Sequence, residues 1–157
     1  MTPQPSLTFV FEARVLVGDP VEMGPTGAAD GFRHRMIPIT GGTVTGPKLS
    51  GIVLPGGADW QRIRASDGLT ELEARYVIRT EDGDNIAVCN RGLRAGPPEV
   101  MQRLAAGEPV DPALFYFRTA PQFQTGSSRH AWLTGTLFVA TGERRPTEVL
   151  IRVWAVE

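Results

Sequence analysis

The sequence predicts a single, soluble, mostly antiparallel all-β domain that forms a closed or nearly closed barrel. Apolar and polar residues alternate in many short runs, Gly and Pro separate these runs, and no run is followed by the long helix that a parallel sheet requires. A chain of 157 residues has the length of one domain, so we expect residues 1–157 to form one unit. About eight to ten short strands favour a barrel or a sandwich, and a barrel also removes exposed sheet edges.

The first strand is predicted over Leu7–Val17, where apolar residues alternate with Glu12 and Arg14. Residues 18–31 are rich in Gly, Pro and Asp and are predicted to be a loop, and residues 142–146 are predicted to be a hairpin loop. One short helix is predicted after Pro97, ending near Gly107. The remaining strands are predicted over residues 32–40, two short runs split at Gly46-Pro47, 59–65, 69–80, 85–90, 115–119, 131–141 and 148–156.

Composition excludes several classes of function. The net charge is −1 and there is no basic stripe, so nucleic acid is not an expected partner. No apolar run approaches the ~20 residues of a membrane-spanning helix, so no membrane association is expected, and the N-terminus does not resemble a secretory signal. The single cysteine, Cys89, cannot form an internal disulfide. We therefore expect a cytoplasmic protein.

Four segments closely resemble a bacterial family, catalogued as domain of unknown function 3237 and also called uncharacterised protein family 0311. They are GGTVTGPKLSGIVLPGGADWQ (41–61), LEARYVIRTEDG (72–83), YFRTAPQFQTG (116–126) and AWLTGTLFVATGERRP (131–146). The resemblance implies a calycin-like or allene oxide cyclase-like barrel and no settled activity. This chain departs from the family pattern at Gln124, where relatives have glutamate, at His130, where tyrosine is common, and at Thr134, where asparagine is common.

Strand alternation indicates which polar side chains point inward. The parity of Ile63 carries Asp59 and Gln61 inward, and the parity of residues 72–78 carries Tyr76 inward. Arg118, which lies among aromatic residues, is the candidate partner for the Asp59 carboxylate. One hypothesis is a cofactor-independent enzyme for isomerisation, cyclisation or conjugate addition. In it Asp59 is the general acid or base, and Arg118 and Tyr76 stabilise an oxyanion. Alternatively, Asp59 accepts hydrogen bonds from turn N–H groups after Gly56-Gly57 and pairs structurally with Arg118.

A second hypothesis is a non-catalytic barrel that binds a small organic ligand. Trp60, Phe123 and Trp132, together with Gln61, are the candidate ligand-binding residues, and Arg118 would recognise an anion. The same aromatic residues could instead form the core or an oligomer interface. A third hypothesis is an oligomerising structural module, in which an apolar set containing Leu150 and Trp154 faces outward. A homo-oligomer is expected on this basis.

No metal or cofactor is predicted. His34 and His130 are the only histidines and lack the spacing of a metal motif, although they could meet a carboxylate in space. There is no GxSxG elbow and no phosphate-binding GxxxxGK[ST] loop, including in the Gly-rich stretch 24–31. Cys89 follows an apolar run, where a buried, unreactive thiol is expected.

Overall fold

Strands make up most of the structure, a computed structural model that describes residues 1–25 and 31–157. The strands of this described part are β1 (Leu7–Val17), β2 (Val21–Pro25), β3 (Phe32–Thr45), β4 (Gly51–Val53), β5 (Gly57–Arg64), β6 (Thr70–Thr80), β7 (Asn85–Ala95), β8 (Tyr116–Gln124), β9 (Leu137–Arg144) and β10 (Glu148–Val156). One α-helix, α1 (Pro98–Ala105), follows β7, and 3-10 segments cover Pro112–Leu114 and Ser128–Gly135.

The sheet closes on itself, so the predicted barrel is confirmed. Neighbouring strands run in the order β1-β10-β9-β8-β7-β6-β4-β3, and β1 pairs with β3 to complete the ring. β4 and β5 share one position in the wall, because each of them pairs with β3 on one side and β6 on the other. β2 adds to β3 outside this ring. The result is an eight-position antiparallel barrel with extra strands.

Alternation in the sequence explains why these segments form the barrel wall. In β6, Leu72, Tyr76 and Ile78 are buried, while Arg75 and Arg79 on the opposite face are exposed, as the pattern predicted. The turn after β6 needs a left-handed residue, which Gly83 supplies at φ 87°. Residues 85–95 then return as β7, antiparallel to β6. β6 and β7 therefore form a tight hairpin around Asp82-Gly83.

The two ends of the barrel are closed differently. At one end Phe123 packs edge-on against Phe11 and Phe138, with ring centroids 5.9 Å and 5.0 Å away, and Trp132 lies 5.9 Å from Phe138. The 3-10 segment that carries Trp132 also buries Leu133 against this core. Aromatic side chains therefore fill this end.

Helix α1 lies at the other end of the barrel. Its inner face buries Val100, Met101 and Leu104, which form a small cluster of their own with Val110. The carbonyl oxygens of its last turn contact two arginines of the barrel, as described below. Among residues 1–25 and 31–157, no helix has both the length and the apolar character that crossing a membrane requires.

Several boundaries differ from the sequence prediction, and β3, β7 and β8 run on to Thr45, Ala95 and Gln124, past the predicted ends at residues 40, 90 and 119. β2 occupies Val21–Pro25, inside the predicted loop 18–31, and the loop prediction for residues 26–30 lies outside the described residues. The strand predicted from 131 begins only at Leu137, because the preceding residues form the 3-10 segment. That segment buries His130 and Leu133, three residues or one 3-10 turn apart. β9 also continues through Arg144, into the predicted hairpin loop 142–146.

Gly142 explains the last of these differences. A glycine is expected to weaken or end a strand, yet Gly142 lies within β9 and has the same inward parity as Phe138 and Ala140. A Cβ atom at Gly142 would lie 2.6 Å from the Phe117 ring, so the glycine makes room for that ring inside the barrel. The strand therefore passes through the glycine and carries Arg144 inward.

Candidate functional site

A cavity of about 50 Å³ lies inside the barrel at the α1 end. Apolar side chains from β1, β3 and β10 form part of its wall, among them Val15, Ile37 and Ile151. The wall also contains seven side chains with polar groups, Asp59, Gln61, Tyr76, Asn90, Arg94, Thr119 and Arg144. A cavity of this size exceeds the ~10–15 Å³ that one water requires but is far smaller than a pocket for a drug-sized ligand.

Strand register places the polar groups around a gap left by a small residue. Asp59 on β5 lies opposite Ala74 on β6, and Ala74 lies opposite Asn90 on β7. All three side chains line the cavity, and the alanine methyl group leaves the space between the other two open. Arg94 follows on the inward parity of β7, four residues after Asn90.

A hydrogen-bonded chain holds the Asp59 carboxyl group. Gln61 Nε2 donates to Asp59 Oδ2 at 2.8 Å, and Gln61 Oε1 accepts from Arg35 Nε at 2.8 Å. Arg35 is directly opposite Gln61 in the β3–β5 pairing and is only 1% exposed. Burial raises the pKa of Asp59 above its usual value, and the Gln61 hydrogen bond acts in the opposite direction. Asp59 is therefore a carboxyl group that keeps its proton to higher pH than an exposed aspartate.

Two further arginines reach the cavity. Arg94 is 3% exposed, and its guanidinium carbon lies 5.7 Å from the centroid of the Phe117 ring. Burial, together with the charges of Arg144 and Arg35, lowers the pKa of Arg94 to about 9, while Asp59 acts to raise it. Arg144 Nη1 donates to the carbonyl oxygen of Leu104 in α1. Burial lowers the pKa of Arg144 as well.

Several buried polar atoms at this cavity have no hydrogen-bond partner among the described residues. They are Asp59 Oδ1, Asn90 Oδ1, Arg94 Nε and Thr119 Oγ1. Buried polar groups in folded proteins are nearly always satisfied, and each one left unpaired costs about 1–3 kcal/mol. Four such atoms around one cavity are groups to which a polar ligand or ordered water would hydrogen-bond.

The structure brings three of the predicted site residues together. Asp59, Gln61 and Tyr76 all line the cavity. Burial raises the pKa of the Tyr76 hydroxyl above its usual value, so this group is neutral and able to donate a hydrogen bond.

Arg118 does not join them. In β8 the inward residues are Phe117 and Thr119, and Arg118 between them is exposed on the outer face. Its Nη1 donates to the Phe117 carbonyl oxygen, and its guanidinium carbon lies 5.6 Å from the Tyr116 ring centroid. The expected Asp59–Arg118 pair is therefore wrong, because strand parity directs the arginine away from the barrel interior.

The predicted aromatic wall also lies elsewhere. Trp60 alternates with the inward residues Asp59 and Gln61 and is 51% exposed. Phe123 and Trp132 belong to the aromatic end of the barrel described above, where Lys48 Nζ lies 5.6 Å from the Trp132 ring centroid. None of the three lines the cavity.

The remaining candidates lie outside the cavity. His34 is on β3 beside an outer groove, whereas His130 Nε2 is 3.6 Å from Asp84 Oδ2 near the aromatic end, so the two histidines do not meet. Within the described ranges, no group of three or more His, Cys, Asp or Glu side chains is placed to hold a metal ion. Cys89 was expected to be buried but is half-buried on the outer face, with Sγ 3.8 Å from Glu73 Oε1.

Comparison with known sequences and structures assigns the chain to a family. The sequence model described as protein of unknown function (DUF3237) matches residues 5–156. The chain belongs to this family. It is 47% identical over 156 residues to a UPF0311 protein of Bradyrhizobium diazoefficiens, with 99% of each chain covered. The crystal structure of a conserved protein of unknown function from Rhodopseudomonas palustris superposes with a TM-score of 0.89 at 44% identity and full coverage of both chains.

A more distant relative has a named activity. The hydroalkoxylation enzyme phnH of Penicillium herquei is 33% identical over 84 residues, which is 54% of this chain and 53% of that one. The three departures from the family pattern at Gln124, His130 and Thr134 do not line the cavity. Gln124 and Thr134 are exposed, and His130 lies at the aromatic end.

Proposed function

We propose that the barrel is an enzyme that performs general acid–base chemistry on a small organic compound bound in the cavity. One observation carries this proposal: Oδ1 of the Asp59 carboxyl group is buried and unpartnered in a cavity that also contains the unpartnered Arg94 Nε. A buried carboxylate with a purely structural role would be expected to hydrogen-bond through both oxygens. Asp59 uses one, toward Gln61, and the other is free to exchange a proton with a substrate.

Asp59 is suited to exchange protons because its pKa is raised by burial. A general acid or base works best when its pKa lies near the working pH, and an ordinary aspartate is too acidic for that. Gln61 orients the carboxyl group through Oδ2 and is itself held by Arg35. The proton-carrying atom is thus Oδ1, on a side chain whose position is fixed by two successive hydrogen bonds.

The same cavity offers groups that stabilise negative charge on oxygen. Arg94 and Arg144 are cationic, and the neutral Tyr76 hydroxyl can donate a hydrogen bond. When a base removes a proton from an O–H or an activated C–H bond, the electron pair remains on oxygen as an alkoxide, phenolate or enolate. Donors held in place before the reaction lower the free energy of that charge.

The reactions that fit are isomerisations, cyclisations and additions of an O–H group to a double bond. The Penicillium relative is named for the last of these. Such an addition moves one proton from oxygen to carbon while a new C–O bond replaces the C=C π bond, so the atoms balance without a further reactant. One carboxyl group, acting first as base and then as acid, can perform both proton transfers. The small cavity accommodates the reacting group of a substrate or a compound of only a few non-hydrogen atoms.

A panel assay for proton transfer tests this function. Small ketones, β-diketones and 2-allylphenol would be incubated with the protein in D₂O and followed by NMR for exchange at carbon or for ring closure. We expect activity in the wild type, loss in Asp59→Asn, and retention in Asp19→Asn, whose carboxyl group is exposed. An Asp59→Asn variant as active as the wild type would overturn the assignment of Asp59. Binding of panel compounds without turnover would favour the non-catalytic barrel.

Two expectations about the setting of this site stay predictions. We expect a cytoplasmic location from composition, and a homo-oligomer from apolar residues on the outer face. Trp154 is half-buried, edge-on to Phe9 at 5.7 Å, and Leu150 is only 1% exposed within the chain. Sedimentation of Trp154→Ala against the wild type tests the oligomer.

A further inference from the structure

We infer that the cavity selects substrates that present one negatively charged oxygen group, such as a carboxylate, an enolate or a phenolate, to Arg94 and Arg144. This inference rests on the proposed function, because it concerns the same cavity. It names the class of ligand rather than the reaction, and the two can fail separately.

Positive and negative charges are not balanced around the cavity. Arg94 and Arg144 line the cavity with Asp59, and Arg35 is linked to Asp59 through Gln61, so three guanidinium groups lie near one carboxyl group. Glu22 Oε1 lies 3.7 Å from Arg35 Nη1, but the Glu22 side chain is 47% exposed and screened by solvent. The interior therefore carries an excess of positive charge.

The protein does not neutralise this excess of positive charge. Among the residues that the structure describes, neither Arg94 nor Arg144 has a carboxylate oxygen within 4.0 Å. Arg144 uses Nη1 on a helix carbonyl oxygen, while the buried Arg94 contacts an aromatic ring and leaves Nε unpartnered. A buried cation such as Arg94 is costly unless an anion pairs with it. A ligand anion would remove that cost.

The cavity wall also offers hydrogen-bond donors for an anion. The Thr119 hydroxyl lines the cavity without a partner and can donate to an anion. Asn90 also lines it, and a half-turn of its amide would direct the NH₂ group to the place now occupied by the unpartnered Oδ1. These donors lie on β7 and β8, whereas Asp59 lies on β5 across Ala74. A substrate spanning the gap would place its anionic oxygen toward Arg94 and its reacting atom toward Asp59.

The size of the cavity restricts the anion further. A volume of about 50 Å³ accommodates a carboxylate-sized group. A doubly charged phosphate would be larger and would lie closer to the like charge of an ionised Asp59. A single-charge oxygen acid therefore fits the site best.

Calorimetric titration with sodium acetate tests the inference, with sodium chloride at equal ionic strength and the neutral isostere acetamide as controls. We expect acetate to bind and acetamide not to bind. Arg94→Met should weaken acetate binding by roughly tenfold or more, because a charge-assisted donor is lost, whereas Arg118→Met on the outer face should not. Asp59→Asn should bind acetate at least as tightly as the wild type, since it removes a negative charge.

If circular dichroism shows that Arg94→Met is unfolded, Ala74→Val provides the second variant. It fills the gap between Asp59 and Asn90 without changing the charge of the cavity. Equal binding of acetate and acetamide, or wild-type acetate binding in the folded cavity variants, would overturn the inference. Acetate binding that persists in Asp59→Asn, together with no turnover in the panel assay, would remove the proposed function and leave the inference standing. Turnover that acetate fails to inhibit would leave the proposed function standing and remove the inference about the anion.

Discussion

Gln61 donates a 2.8 Å hydrogen bond to Oδ2 of Asp59, and this bond leaves Oδ1 of the same carboxyl group without a partner. The two residues are separated by one position on β5 and point to the same side of the strand. Because Gln61 is in turn fixed by Arg35, the carboxyl group has a defined orientation in the absence of ligand. Preorganisation of this kind is what an acid–base site requires.

Gln61→Leu should destabilise the protein by about 3 kcal/mol. The leucine would leave Asp59 Oδ2 and Arg35 Nε buried without partners, and unpaired buried polar groups cost about 1–3 kcal/mol each. Urea denaturation monitored by fluorescence measures the change. Gln122→Leu, the same substitution on the exposed face of β8, is the control and should change stability little. A Gln61→Leu variant as stable as the control would show that the hydrogen-bonded chain contributes little.

The stabilising effect of Asp59→Asn should increase with pH. Because burial raises the pKa of Asp59 above 3.8 in the folded state, the folded protein holds more protons than the unfolded chain between 3.8 and the folded pKa. The contribution of Asp59 to the free energy of unfolding therefore falls as pH rises through this window and is constant above it. Asparagine does not titrate, so the difference between variant and wild type should grow from about pH 4 and then level off. Denaturation curves across that range measure it, and a difference independent of pH would show an unperturbed carboxyl group.

Much of the fold could be predicted from the sequence because the alternation of β1 and β6 is regular and the turns carry Gly. Inward placement of Asp59, Gln61 and Tyr76 followed from the same parity. What parity could not provide was the partner of Asp59, since partners come from other strands. The aromatic neighbours of Arg118 suggest a pocket position, but the alternation of Phe117, Arg118 and Thr119 in β8 directs this arginine outward.

The sequence prediction lacks the two arginines that line the cavity, Arg94 and Arg144, because it ends two strands too early. The predicted strand ends at Asn90, whereas in β7 the inward series Ile86, Val88, Asn90 continues through Gly92 to Arg94. Gly92 hides the continuation, because it looks like a break, whereas a Cβ atom there would lie 2.3 Å from the Arg118 carbonyl oxygen. Gly142 hides Arg144 in the same way. Extending an alternation through a single glycine is the signal that would have found both residues.

Ala74→Val should abolish acetate binding without lowering stability. The added methyl groups would occupy the gap between Asp59 and Asn90, and valine is favoured in strands. Filling a small cavity commonly keeps or raises stability, provided that no strain is introduced. Ala87→Val on the exposed face of β7 is the matched control and should bind acetate like the wild type. Unchanged acetate binding in Ala74→Val would place the anion outside this cavity.

Arg144→Met should speed hydrogen exchange in α1. Arg144 Nη1 donates to the Leu104 carbonyl oxygen and Arg35 Nη1 donates to that of Ala105 at 3.3 Å, so two cations hold the carbonyl end of the helix over the cavity. Loss of one charge-assisted hydrogen bond, about 1.5–3 kcal/mol, should raise exchange of α1 amides by about 10- to 150-fold, while β6 and β7 stay protected. Mass spectrometry of exchanged peptides measures this. Arg145→Met is the control, because Arg145 forms ion pairs with Glu143 and Glu148 instead. Equal exchange of α1 in both variants would mean that its apolar cluster alone holds the helix in place.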